Sequence, residues 1–201
     1  MIFENSILIS GRVINSFDMW PERSNGATVI SFVGCSHNCD KCDARSNMRN
    51  KSLIAQSCTM GKTSVLSYYP GAKIIPDFYK FDCTEKGLSL FIYFIDEICK
   101  VNTNRIIFSG GDPLYIDNLK FVKDYLLQKN RPRICIYTGY SIEDVKLMDV
   151  EGAEFIKCGK YDYEKSQDKM KYDNVLKLSS TNQNFYNQHC KPISKNGILT
   201  F

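Results

Sequence analysis

Two short runs near the start of the chain are rich in apolar, β-branched residues: 6–14 (Ser-Ile-Leu-Ile-Ser-Gly-Arg-Val-Ile) and 27–33 (Ala-Thr-Val-Ile-Ser-Phe-Val). Both read as strands, and Pro21, Asn25 and Gly26 between them read as a loop. Residues 50–85 carry no sustained pattern; Pro70-Gly71 marks a turn, and Pro76 demotes any strand beside it. The second half alternates regularly. A helix is predicted near 87–100, then a strand at 105–109, then a helix near 116–129 with Leu119, Val122, Tyr125 and Leu126 on one face. A strand follows at 133–138, a short helix starts at Ser141, where Ser141 and Asp144 fit a capping box, and 153–157 forms a last strand. From about 164 the tail is polar and only partly regular. Strands separated by helix-length crossovers imply an α/β fold, with helices packed against a parallel sheet.

At 201 residues the chain suits a single domain over 1–201, with an irregular insertion at about 50–85 and the polar tail. A net charge of +4 is mildly basic; it would suit an acidic partner but is far from a nucleic-acid-binding stripe. The most apolar window, 88–98, is interrupted by Ser89, Asp96 and Glu97, so no bilayer span is expected. Met1-Ile2-Phe3-Glu4-Asn5 lacks the basic start and apolar run of a secretory signal, and a cytoplasmic address follows as the expectation. In that reducing compartment nine cysteines are ligands or buried thiols rather than disulfides.

Three of them, Cys35, Cys39 and Cys42, are spaced C-x3-C-x2-C directly after a strand and Gly34. Three thiolates on one tight loop can converge on one inorganic centre. Zinc sites usually use two separated ligand pairs, and no second pair stands at the expected distance; a Cys₃His site with His37, or three unrelated buried thiols, is the alternative. Four cysteines would close a 4Fe–4S cluster. Three leave one iron without a protein ligand, and a substrate's amino and carboxylate groups can chelate it, holding a sulfonium beside a low-potential electron donor.

A second element, Phe108-Ser109-Gly110-Gly111-Asp112-Pro113-Leu114, falls between a predicted strand and helix. Paired glycines let backbone approach a ligand closely, and Asp112 offers a carboxylate to an ammonium group, although an ordinary strand-to-helix turn accounts for the pattern equally well. Taken together, the cysteine triad at a strand end and this loop resemble the signature of the radical S-adenosylmethionine superfamily. Asp in place of Glu resembles one subgroup, the activating proteins of anaerobic ribonucleotide reductase. Gly34-Cys35-Ser36-His37-Asn38-Cys39, Tyr137-Thr138-Gly139-Tyr140, Gly159-Lys160-Tyr161 and Ser179-Ser180-Thr181-Asn182-Gln183 are similar to that subgroup's elements in the same order, the last with one inserted Thr. The resemblance covers about 27–48 and 105–185; departures are Lys41, Asp43 and Cys158.

The resemblance implies an incomplete parallel β/α barrel, a 4Fe–4S cluster on Cys35, Cys39 and Cys42, and S-adenosylmethionine bound by Lys41, Cys42, Asp43, Ser109, Gly110, Gly111, Asp112 and Thr138. It further implies reductive cleavage to methionine and a 5′-deoxyadenosyl radical, which takes hydrogen from a glycine of the anaerobic ribonucleotide reductase large subunit. A small reducing protein would donate the electron, and no side chain need act as general acid or base. Another glycyl radical enzyme or a peptide substrate keeps the chemistry and changes the target; a zinc-binding interaction module is the alternative of another class. Independently of the family, residues 34–43, 109–113, 138–140 and 158–161 all fall just past predicted strand ends, the edge that gathers sites in parallel α/β folds. Of the remaining residues, Cys58 and Cys83 read as free thiols, with help in binding a second cluster or a redox pair as the alternatives, Cys99 and Cys135 as core, and Cys158 as ambiguous. His37 reads as a sulfur or partner contact, or as a solvent-facing residue. Tyr140 reads as a packed aromatic, and Lys165, Lys169, Lys171 and Lys177 as a solvated face.

Overall fold

Alternation along the central strands sends Ile106 and Phe108 to one face of a sheet and Ile107 to the other, and likewise Ile134 and Ile136 against Cys135. The computed structural model describes residues 6–16, 20–22, 26–42, 73–75, 79–100, 104–168, 170–172 and 175–200. Within them the chain runs β1 (Ser6–Ser16), β2 (Ala27–Phe32), β3 (Lys73–Ile75), β4 (Tyr79–Asp82), α1 (Glu85–Lys100), β5 (Arg105–Gly110), α2 (Ile116–Leu126), β6 (Arg133–Tyr137), α3 (Ile142–Met148) and β7 (Phe155–Cys158). Four further strands follow: β8 (Met170–Tyr172), β9 (Val175–Lys177), β10 (Asn184–Asn187) and β11 (Ile198–Thr200). Among the described residues no helix is long and apolar enough to cross a membrane.

The fold is mixed α/β. Strands β2, β5, β6 and β7 form a parallel centre. Antiparallel strands flank it on both sides: β10 pairs with β7, and β1 pairs with β2 while carrying β3 and β4 on its outer edge. Helices α1 to α3 cover one face through Phe91, Ile95, Phe121, Val122, Tyr125, Leu126, Ile142 and Val145. A three-stranded sheet, β11-β9-β8, contributes Leu176 and Leu199 to a second core on the other face, with Trp20, Leu178 and Phe185.

Helix starts follow their caps. The Thr84 hydroxyl accepts from the Gly87 N–H at 3.2 Å at the head of α1, and at α3 Ser141 and Asp144 form the reciprocal capping box that their spacing implies. Three expectations are corrected. Strands β3 and β4 form on either side of Pro76, because proline removes only its own N–H and short edge strands tolerate it. Helix α2 stops at Leu126 rather than 129, with Asn130 in a left-handed conformation and Pro132 soon after. Strand β7 is not the last: the polar tail supplies four more strands, of which β10 pairs with β7 while β8, β9 and β11 form their own sheet, and their isolated apolar residues Leu176, Phe185 and Leu199 are buried by packing into the second core.

At the N-terminal end of the parallel strands Arg133 bridges two carboxylates, donating to Glu22 at 2.6 and 3.0 Å and to Glu154 at 2.6 Å. Its guanidinium sits 5.4 Å from the ring of the fully buried Trp20. Hydrogen bonding from Arg133 holds the Glu22 carboxyl below the ordinary glutamate range. A lowered carboxyl pKa stabilises the fold above the ordinary range, and that contribution is lost as pH falls through the folded value. Arg133→Met is therefore expected to lower stability by about 1–2 kcal/mol at neutral pH, discounted for partial exposure. It is also expected to flatten the acid limb of a plot of urea midpoint against pH.

Candidate iron–sulfur site

The C-terminal edge of the parallel strands gathers the loops singled out by the sequence. After β2 the chain leaves regular structure for residues 33–42, which carry the cysteine triad. Asn38 and Lys41 take left-handed conformations, with φ of 49° and 47°, winding the loop tightly. Cys35 and Cys42 are half-buried and Cys39 is buried. Burial pushes the Cys35 thiol above its ordinary value; the His37 N–H opposes this, while Asp112 and the other two thiols add to it. Cys39 is likewise raised by burial and by Cys42, against a backbone N–H from Tyr161 on its sulfur and the charge of Lys160. The three thiols are thus electrostatic neighbours. Among the described residues no three His, Cys, Asp or Glu side chains are gathered closely enough to hold one metal ion.

The Gly-Gly-Asp loop after β5 packs directly on the cysteine loop. Gly111 N–H donates to the Phe32 carbonyl at 2.8 Å and Asp112 N–H to the Gly34 carbonyl at 2.7 Å. A side chain at Gly111 would place its Cβ 2.2 Å from the Gly34 oxygen, so the close approach this glycine permits is to the cysteine loop. The Asp112 carboxylate is fully buried. It accepts from Leu114 N–H at 2.8 Å, from the Thr138 hydroxyl at 2.9 Å on each oxygen, and from Gly139 N–H at 2.9 Å. His37 Nε2 lies 2.7 Å from the same carboxylate. The His37 ring also meets Tyr140 edge-on at 4.4 Å.

Asn118, on the buried face of α2, binds the two loops from beneath, donating to the carbonyls of Val33 at 3.0 Å and Asp112 at 3.1 Å. Hydrophobic periodicity passes over it; a polar residue on an apolar stripe is the signal that marks it. The loop after β7 completes the edge. Gln183 and Asn182 donate to the Gly159 and Lys160 carbonyls at 3.1 and 2.8 Å, holding the segment whose Tyr161 N–H reaches Cys39. The Ser-Ser-Thr-Asn-Gln run therefore positions a neighbour of the cysteines.

Of the other expected contacts, Lys41 extends its ammonium over the Tyr163 ring at 3.5 Å. Ser109 is half-buried and lies beside Ser31 in the parallel register, Gly110 ends β5, and Asp43 and Cys58 lie outside the described residues. Cys135 is core, and Cys158 is buried, with its thiol pushed up to about 12 by burial, which makes it a poor nucleophile. Cys83 is half-buried, and the side chain of Cys99 lies outside the described residues.

Thiol donors on one loop, two of them receiving backbone N–H groups, form the environment that iron–sulfur clusters occupy. Residues 24–186 match the 4Fe–4S single cluster domain family, and the chain belongs to that family. No curated protein and no solved structure matches it.

Proposed function

We propose that this chain is a radical S-adenosylmethionine enzyme that installs a glycyl radical in anaerobic ribonucleotide reductase. The observation that carries the reading is the cysteine loop closed against the Gly-Gly-Asp loop and the Thr-Gly-Tyr turn at one edge of a parallel sheet, in a chain of a 4Fe–4S family. Cys35, Cys39 and Cys42 would hold the cluster. The loop contains no fourth cysteine, which leaves one metal position for the amino and carboxylate groups of S-adenosylmethionine. When bound and reduced, the cluster supplies the single low-potential electron that cleaves the sulfonium.

The chain's own part is to bind, orient and exclude water. Ser109 near the end of β5 and Thr138 just after β6, with backbone near Lys41, Cys42, Asp43, Gly110 and Gly111, would flank the cofactor. We read strands β2, β5, β6 and β7 as the parallel part of an incomplete barrel, whose open side suits a polypeptide glycine as substrate. A small reducing protein would deliver the electron. In the test, protein reconstituted with iron and sulfide without oxygen is reduced and given S-adenosylmethionine, then the reductase. Methionine, 5′-deoxyadenosine and a glycyl EPR signal are expected. Cleavage without that signal would move the target to another glycyl radical enzyme or a peptide, and zinc in place of iron and sulfide would end the reading.

A further inference from the structure

Asp112 is the only acidic residue among the buried polar side chains of the described residues, and its surroundings leave no room for a ligand. Every partner of its carboxylate is a hydrogen donor: the Leu114 and Gly139 amides, the Thr138 hydroxyl and His37 Nε2. A carboxylate offers about four lone-pair sites, and four donors at 2.7–2.9 Å face them, the single Thr138 O–H lying 2.9 Å from both oxygens. An incoming ammonium group would have to displace one of these contacts inside the protein. Two bare backbone positions serve the same closure. A Cβ on Gly139 would stand 2.4 Å from the His37 ring, and one on Gly111 would stand 2.2 Å from the Gly34 oxygen.

On the reading that Cys35, Cys39 and Cys42 hold the cluster, we propose that Asp112 is a positioning residue that acts through His37 to fix the cysteine loop, and does not contact S-adenosylmethionine. The chain of contacts runs from the Thr138-Gly139 turn to the carboxylate, from the carboxylate to the His37 ring, and from the His37 backbone N–H to the Cys35 sulfur at 3.4 Å. It gives a reason for histidine in the middle of the loop: its ring N–H spans from there to a carboxylate 75 residues further along. It also gives a reason for aspartate rather than glutamate after the paired glycines, since one more methylene has no space among four donors in a fully buried site.

The metal-free, reduced protein tests this directly. Alkylation of Cys35 is followed by peptide mass spectrometry, with Cys83 as an internal reference. Asp112→Asn turns a donor toward donors, and His37→Leu removes the ring N–H; each is expected to quicken Cys35 modification about tenfold relative to Cys83, the easing of local opening when one hydrogen bond to a charged group is lost. The double variant should be no faster than the quicker single one, and His37→Gln, which keeps a side-chain N–H, should return toward the parent rate. In reconstituted protein the same variants should shift the EPR spectrum and midpoint potential of the reduced cluster before S-adenosylmethionine is added.

Unchanged Cys35 rates, or additive effects in the double variant, would overturn the proposal. So would Asp112→Asn with a parent-like spectrum that no longer responds to S-adenosylmethionine, since that places the carboxylate on the cofactor. Where Asp112→Asn fails to fold by circular dichroism, the two His37 variants decide from the loop side. The alkylation measurement needs no cluster. A parent protein that takes up no iron therefore ends the proposed function, while Cys35 alone still decides the positioning role.

Discussion

On the proposed function, Cys39→Ala, purified without oxygen, is expected to retain less than about a tenth of the parent's iron and sulfide and to show no S-adenosylmethionine cleavage, a loss at least as large as the roughly 10–100-fold cost of disturbing an outer partner of a metal ligand. Cys39 is the most enclosed thiol of the triad, at 9% exposure, and it takes the Tyr161 N–H on its sulfur. Its removal would leave two thiols to hold a four-iron core and leave that N–H aimed at a methyl group. Because alanine is small and the loop is irregular, the rest of the fold should stand. Cys135→Ala separates this from a general effect: Cys135 is fully buried on the opposite side of the same sheet from the helices, so its loss should lower stability and leave iron content alone. Equal iron in Cys39→Ala and parent would remove Cys39 from the ligand set.

Phe91→Ala should cost the metal-free protein about 3–5 kcal/mol, the range for removing a fully buried phenylalanine. Phe91 is 0% exposed and meets Phe81, Phe121 and Tyr125 edge-on, with centroids 5.1–5.4 Å apart. It also touches Phe32 and Phe108 at 6.3 and 6.1 Å. Those last two lie near the ends of β2 and β5, just beneath the cysteine loop and the Gly-Gly-Asp loop. The ring therefore joins α1 and α2 to the floor of the site. At about 2–4 °C per kcal/mol for a chain of this size, the melting temperature should fall by roughly 6–20 °C. Phe91→Leu, which refills most of the volume, should recover about half of the loss. A urea-unfolding difference below about 1 kcal/mol would show that the aromatic cluster does not hold α1 to the sheet.

These two expectations differ in how far the sequence foretells them. Cys35, Cys39 and Cys42 lie within eight residues, so their spacing alone puts them on one loop, although it does not draw the three side chains around one metal ion. Ser141 and Asp144 are one helical turn apart, and their capping box forms as the spacing implies. The parallel strands are legible for a similar reason: continuous runs such as Arg-Ile-Ile-Phe-Ser carry their own signal. The tail does not. Strands β8, β9 and β11 each have three residues, too few to show a period, and Leu176 and Leu199 look like stray apolar residues until the second core assembles around Trp20. Asn118 and Phe121 lie on the buried face of α2 with the expected Val122, Tyr125 and Leu126, and Leu119 is partly buried against the same core.

The direction in which Asp112 faces is the sharpest case. Its position after two glycines is plain in the sequence, yet the groups that occupy it, His37 and Thr138, stand 75 and 26 residues away. Bond lengths and turn geometry hold neighbours together in any conformation, which is why the cysteine loop, the cap and the central strands can be read one residue after another. No such constraint says what the fold will lay against a carboxylate or a lone leucine. That depends on sheet order and on which backbones can approach within contact distance, and here Gly111 and Gly139, by lacking side chains, let three loops close on one buried group.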